Sequence, residues 1–152
     1  MASITAKNMN KFLKGQFEEY LILSGCSESE LLHGVNYDTV RTQKSNTNNA
    51  INLIIKIDRA TVYVQAMSKA INLLSSSLER PYKQIIEDYY FKHHLIREIS
   101  IKISCSERWV NKLKIEALKE LAVRFLVEQV KLGLSEDEII NLTENKEVVP
   151  QN

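Results

Sequence analysis

Glycine and proline are scarce, four of the first and two of the second among 152 residues. That is too few for the turns a β sandwich or barrel needs at its strand ends, so an all-α fold is expected. Cysteine is nearly absent too. Cys26 and Cys105 stand far apart in the sequence, which excludes a disulfide scaffold, and both thiols are expected to be reduced. Cys105 takes an apolar slot and reads as a small core residue. No apolar run approaches the roughly 20 residues that cross a bilayer. The start Met-Ala-Ser-Ile-Thr-Ala-Lys lacks the basic region and apolar block of a secretory signal. A cytoplasmic protein with no membrane partner is the expectation.

Catalytic patterns are missing as well. There is no Gly-rich phosphate loop, no cluster pairing His with acids, and no Ser or Cys with a base at motif spacing. His93 and His94 lie together in a connection, but Cys105 alone does not complete a ligand set, so they read as solvated loop histidines. No enzymatic activity, metal or cofactor is expected.

Net charge is also lacking, at +1 for the whole chain, yet its distribution is uneven. Arg80 to Lys131 holds eleven basic and seven acidic residues, a local +4, whereas Leu132 to Asn152 holds one lysine and five acids, a local −4. A positive stretch beside a negative tail suits phosphate contact by the former. The excess is modest for one copy, which is a reason to expect a homodimer.

Five segments emerge from the patterning. Residues 1–33 form an N-terminal helical segment, with one helix from about Lys7 to Leu23 striped by Phe12, Leu13, Phe17, Tyr20 and Leu21. Gly25 is placed to end that helix, and Ser27 to Glu30 reads as a capping box. Residues 34–48, rich in Asn, Thr, Ser and Gln, read as a polar linker. Residues 49–78 carry a long helix in which Ala50, Leu53, Ile57, Ala60, Val64, Met67, Ile71, Leu74 and Leu78 alternate in steps of three and four, the seam of a coiled coil. The flanking positions, Ile54, Thr61, Ser68, Ser75, Lys56, Tyr63, Ala70 and Ser77, offer almost no complementary charge. An intrachain seam and a homodimer seam both stand, the first favoured. Residues 79–132 hold the most distinctive motif, and 133–152 a short helix capped by Ser135 with an acidic tail after it.

Within 79–132, Pro81 opens a helix to about Phe91, whose Tyr82, Ile85, Ile86, Tyr89 and Tyr90 are expected to line the core of the adjoining helical pair. Ile96, Ile99 and Ile103 share one face of the first helix of that pair. Ser104-Cys105-Ser106 supplies a turn, and Val110, Leu113, Ala117 and Leu121 share a face of the second helix, which runs to about Leu132. This is the pattern of a helix-turn-helix, although an ordinary helical hairpin needs the same spacing. Ser106 is positioned to cap the second helix. Beyond the cap, Glu107, Arg108, Asn111 and Lys112 form a polar face at the helix start, where a recognition helix meets base edges. Arg108 and Lys112 suit guanine, Asn111 adenine, and Glu107 a cytosine amine or the positive helix end. Arg97, Lys102, Ser106, Lys114 and Lys119 are the candidates for phosphate contacts. Trp109, one step off the apolar seam, is expected to pack against the helix that Pro81 opens rather than against a base.

The segment from Ile99-Ser100 through Ser104-Cys105-Ser106 resembles the helix-turn-helix in the last domain of bacterial sigma factors, with Ser104 where that motif usually holds Gly. The wider order is Tyr20-Leu-Ile-Leu-Ser-Gly25, a polar linker, Leu78-Glu-Arg-Pro-Tyr-Lys-Gln-Ile-Ile-Glu-Asp-Tyr-Tyr-Phe91, then Ser106-Glu107-Arg108-Trp109 and Lys114-Ile-Glu-Ala117-Leu118. It resembles the ArpU family of phage transcriptional regulators, relatives of the RinA-type late regulators. The resemblance covers roughly residues 12 to 126, its specific part 78 to 122. It implies a sigma-region-4-like domain, binding to double-stranded DNA, and control of phage late genes such as packaging and lysis genes in the host bacterial cytoplasm. Contact with RNA polymerase would fit. Two other readings stay open: a small terminase-like DNA-packaging subunit, and an interaction module that binds polymerase and not DNA.

Overall fold

The N-terminal helices begin and end on short polar or glycine signals. In the computed structural model, which describes residues 3–34 and 48–143, the Ser3 hydroxyl accepts from the Ala6 amide at 3.2 Å and starts α1 (Ile4–Lys14). At Gly15 the backbone leaves helical geometry (φ −128°, ψ −90°) and α2 (Gln16–Ser24) starts again. The single helix expected from Lys7 to Leu23 is therefore two. Phe12 and Phe17 explain the break: on one straight helix they would point about 140° apart, yet both are buried with ring centroids 5.7 Å apart. A side chain on residue 15 would also sit 3.3 Å from the Lys11 carbonyl. Gly25 closes α2 in the left-handed region at φ 76°, as expected. The Ser27–Glu30 capping box opens α3 (Glu28–Leu32), with reciprocal bonds of 2.8 and 3.1 Å.

The long helix α4 (Asn48–Leu73) uses only part of its heptad seam inside the chain. Ala60, Val64, Met67 and Ile71, with Leu74 just beyond, are buried against α2 and the last helix. Leu53 is 52% exposed and Leu78 is fully exposed past the helix end. Intrachain packing thus accounts for the second half of the seam, and the first two turns present Ile51, Leu53 and Ile55 to solvent. The expected linker falls mostly on 35–47, outside the described residues, as does the tail from 144 onward.

Three further helices follow among the described residues. These are α5 (Tyr82–Ile86), which runs on into a π-helical turn (Glu87–Phe91), then α6 (Ile96–Ile103) and α7 (Glu107–Lys131). The described residues contain no strand, and the fold is all-α. Two apolar clusters form among the described residues. The larger joins α1, α2, α3, α4, the π turn and the middle and later turns of α7; the smaller holds Ile85, Ile99, Val110 and Leu113. Only part of the expected lining of the smaller cluster goes there. Ile86 and Tyr90 turn into the larger one, as does Phe91 at the helix end, while Tyr82 and Tyr89 touch both. The cause is adjacency: Ile85-Ile86 and Tyr89-Tyr90 put apolar groups on two sides of one helix, which must then lie between two cores. Burial pushes the Tyr90 hydroxyl well above its ordinary pKa, and that hydroxyl donates to Asn10 Oδ1.

No helix succeeds α7 among the described residues. Residues 134–143 instead cross the bundle as an irregular strap after Gly133 (φ 86°). The expected helix opening at Ser135 stops at a single turn because side chains take its backbone groups. Fully buried Gln129 accepts from the Ile140 amide at 2.7 Å and donates to the Ile140 carbonyl at 2.8 Å. The Tyr63 hydroxyl donates to the Glu138 carbonyl at 2.6 Å, and Asn8 to the Leu142 carbonyl at 3.3 Å. A local helix would need those same groups. Gln129→Ala should therefore lower stability by roughly 1–3 kcal/mol, since it strands two polar groups of Ile140. Urea unfolding measures the loss, and hydrogen exchange should show the Ile140 amide deprotected ahead of the helices.

Candidate nucleic-acid interface

The connection from α6 to α7 is three residues long, and each has a distinct physical task. Ser104 adopts φ 60°, ψ 45°. Its amide bonds back to the Ile101 carbonyl at 3.3 Å, and the Cys105 amide to the Ser100 carbonyl at 3.0 Å. Those two bonds are the paired closure of a Schellman motif. Cys105 then packs beside Ile99 in the smaller core, the apolar contact that accompanies such closures. Ser106 returns to extended backbone, and its hydroxyl accepts from the Trp109 amide at 3.0 Å to begin α7. Lys102 and buried Asp88 (3.3 Å) tie α6 to the π turn, with Lys92 at 3.9 Å from the same carboxylate.

With Val110 and Leu113 held inward, the first turns of α7 leave Glu107, Arg108, Asn111 and Lys112 exposed together. Among the described residues no carboxylate pairs with Arg108 or Lys112. Asn111 donates to the Glu107 carbonyl of its own helix at 3.2 Å. The Lys112 ammonium lies 5.2 Å from the centre of the Trp109 ring. Trp109 is 47% exposed and lines a groove of about 520 Å³ with Gln84, Leu113 and residues 76–79. Its contact with α5 is thus partial.

The phosphate candidates scatter. Arg97 is exposed on α6 with no ion pair among the described residues. Lys102 is committed to Asp88, Lys119 pairs with Glu116 at 3.3 Å, and the Ser106 hydroxyl is occupied by its cap. Lys114 is half-buried, with its ammonium 4.2 Å from the Tyr89 ring centre. Burial pushes Lys114 below its ordinary pKa, aided by nearby Lys14 and opposed by Tyr89. Burial pushes Tyr89 up, but the charges of Lys114 and Lys14 prevail and bring it down. Lys14 was invisible as a partner in the sequence, because it stands 100 positions before Lys114 on a different helix. His93 and His94 lie in the connection; His93 is exposed there, adopts φ 60°, and its Nε2 lies 3.0 Å from Glu28. Among the described residues no three metal-ligating side chains gather, and no helix is long and apolar enough to cross a membrane.

The turn makes two expectations of opposite sign. Ser104→Gly removes the steric cost of a left-handed backbone and should raise stability by about 1 kcal/mol. Ser106→Ala removes the cap and should cost about 1 kcal/mol. Thermal unfolding of the two variants checks both signs. Comparison of the chain with family models, characterised proteins and solved structures returns no match.

Proposed function

We propose that this chain is a sequence-specific DNA-binding transcriptional regulator, an activator of phage late genes of the kind the ArpU resemblance implies. The observation that carries the reading is the start of α7, where Arg108, Asn111 and Lys112 project together beside Glu107, free of carboxylate partners among the described residues. Such an end, rigidly set by a short capped turn, fits a major groove and offers donors for guanine and adenine edges. On this reading α6, the turn and α7 act as a sigma-region-4-like helix-turn-helix, and the protein works in the host cytoplasm. It binds rather than catalyses. A homodimer would double a local charge that is weak in one copy, and RNA polymerase is the natural second partner of a sigma-like activator.

One observation favours a second reading. The opening turns of α4 expose Ile51, Leu53 and Ile55, the kind of apolar surface an oligomer covers. A terminase-like packaging subunit would use it in a ring. Solution mass separates the two: a ring gives eight or so copies, a regulator one or two.

On the regulator reading, Arg108→Ala should cost roughly 1–3 kcal/mol on a selected site and flatten sequence preference. Arg97→Ala, at an exposed phosphate candidate without an acidic partner among the described residues, should weaken all duplexes alike. Gel shifts on selected and scrambled duplexes check this; equal behaviour of wild type and Arg108→Ala removes Arg108 from the base-reading set. An interaction module that ignores DNA would show no steep loss of duplex binding with salt.

A further inference from the structure

We propose that Lys14, Tyr89 and Lys114 form a phosphodiester-binding site that extends the DNA contact of α7 onto the N-terminal helix α1. The inference rests on the DNA-binding reading and adds to it a place and a set of residues. Three elements converge there: the last residue of α1, the π turn and the second turn of α7. Lys14 Nζ donates to the Tyr89 hydroxyl at 3.4 Å and lies 5.3 Å from its ring centre. Lys114 Nζ lies 4.2 Å from the same centre. Two ammonium groups thus share one aromatic ring.

Several cations of the chain meet acids. Lys92 and Lys102 meet Asp88, Lys119 meets Glu116, Arg124 meets Glu120 and Lys131 meets Glu128. At Tyr89 no carboxylate lies within ion-pair distance of either lysine among the described residues. The arrangement is held by packing and has a cost: burial pushes Lys114 below its ordinary pKa, and the repulsion from Lys14 adds to that push. A bound anion reverses that cost. The Tyr89 hydroxyl accepts from Lys14 and keeps its own proton to donate, which suits a phosphate oxygen. Position supports phosphate over base: Lys114 stands three residues after Asn111, one turn along the helix and on its flank. Groove-bound helices are held by backbone phosphates along that flank.

The test measures affinity for random-sequence duplexes against salt concentration, with the full chain. Wild type should weaken steeply with salt. Lys14→Gln, an exposed change, should lower the slope of log K against log salt by about 0.9 and reduce affinity for every duplex by the same factor. Lys14→Arg should restore the slope. Tyr89→Phe keeps the ring and should weaken binding about twofold by loss of one donor. Lys69→Gln, an exposed change at the opposite end of α7 beside Lys131, controls for net charge and should leave the slope near wild type. A steep wild-type slope that Lys14→Gln and Tyr89→Phe leave intact overturns this site while the reading end of α7 stands. A Lys69→Gln effect equal to that of Lys14→Gln also overturns it, because total charge would then suffice. Wild type without salt-dependent duplex binding overturns the site and the DNA reading together.

Discussion

The structure depends on one helix serving two cores. Over its 25 residues α7 first buries Val110 and Leu113 against α5 and α6. It then turns Leu118, Leu121, Ala122 and Phe125 into the larger cluster with α1, α2 and α4. Because the apolar direction rotates along the helix, the smaller cluster cannot slide or rotate without opening the larger one. A polar contact at the exit of α4 is anchored to this arrangement. Glu120 on α7 accepts from the Ser75 amide and hydroxyl at 3.1 and 3.0 Å and holds Arg124 at 2.8 Å, which pins the exit of α4. Burial raises the Glu120 pKa, but the Arg124 and Ser75 bonds prevail and bring it down.

How much of this the sequence disclosed depends on the range of the forces involved. Features set by residues three or four apart were legible: the all-α class, Gly25 as helix end, the Ser27–Glu30 box, the Ser106 cap and the span of α7. The same local signals exposed Glu107, Arg108, Asn111 and Lys112 as one polar face. What escaped was decided by groups distant in sequence. The break at Gly15 serves Phe12 and Phe17 together, and no spacing rule announces which of two adjacent apolar residues will prevail. Just before the π turn, the adjacent Ile85 and Ile86 face different cores. The strap at 134–143 exists because Gln129 and Tyr63 outcompete a local helix for its backbone groups.

The candidate phosphate residues show the same limit. A lysine in sequence is a charge without an address. Lys102 looked free and is tied to Asp88, whose burial no helical pattern reveals. Lys114 looked like a simple surface cation, and its neighbour Tyr89 belongs to another element. Pairing at the surface therefore sorts the basic residues more sharply than their count does, and it leaves Arg97, Arg108 and Lys112 without acidic partners among the described residues.

The unbroken run of α7 has a mechanical meaning. A helix of 25 residues is about 37 Å long, close to one turn of B-form duplex, and it has no joint between its tip and the body of the protein. Whatever grips the body sets the azimuth of the tip. On the DNA-binding dimer proposed above, two copies gripped in that way would act as a caliper of fixed opening, measuring the distance between half-sites with little tolerance for a base pair more or less.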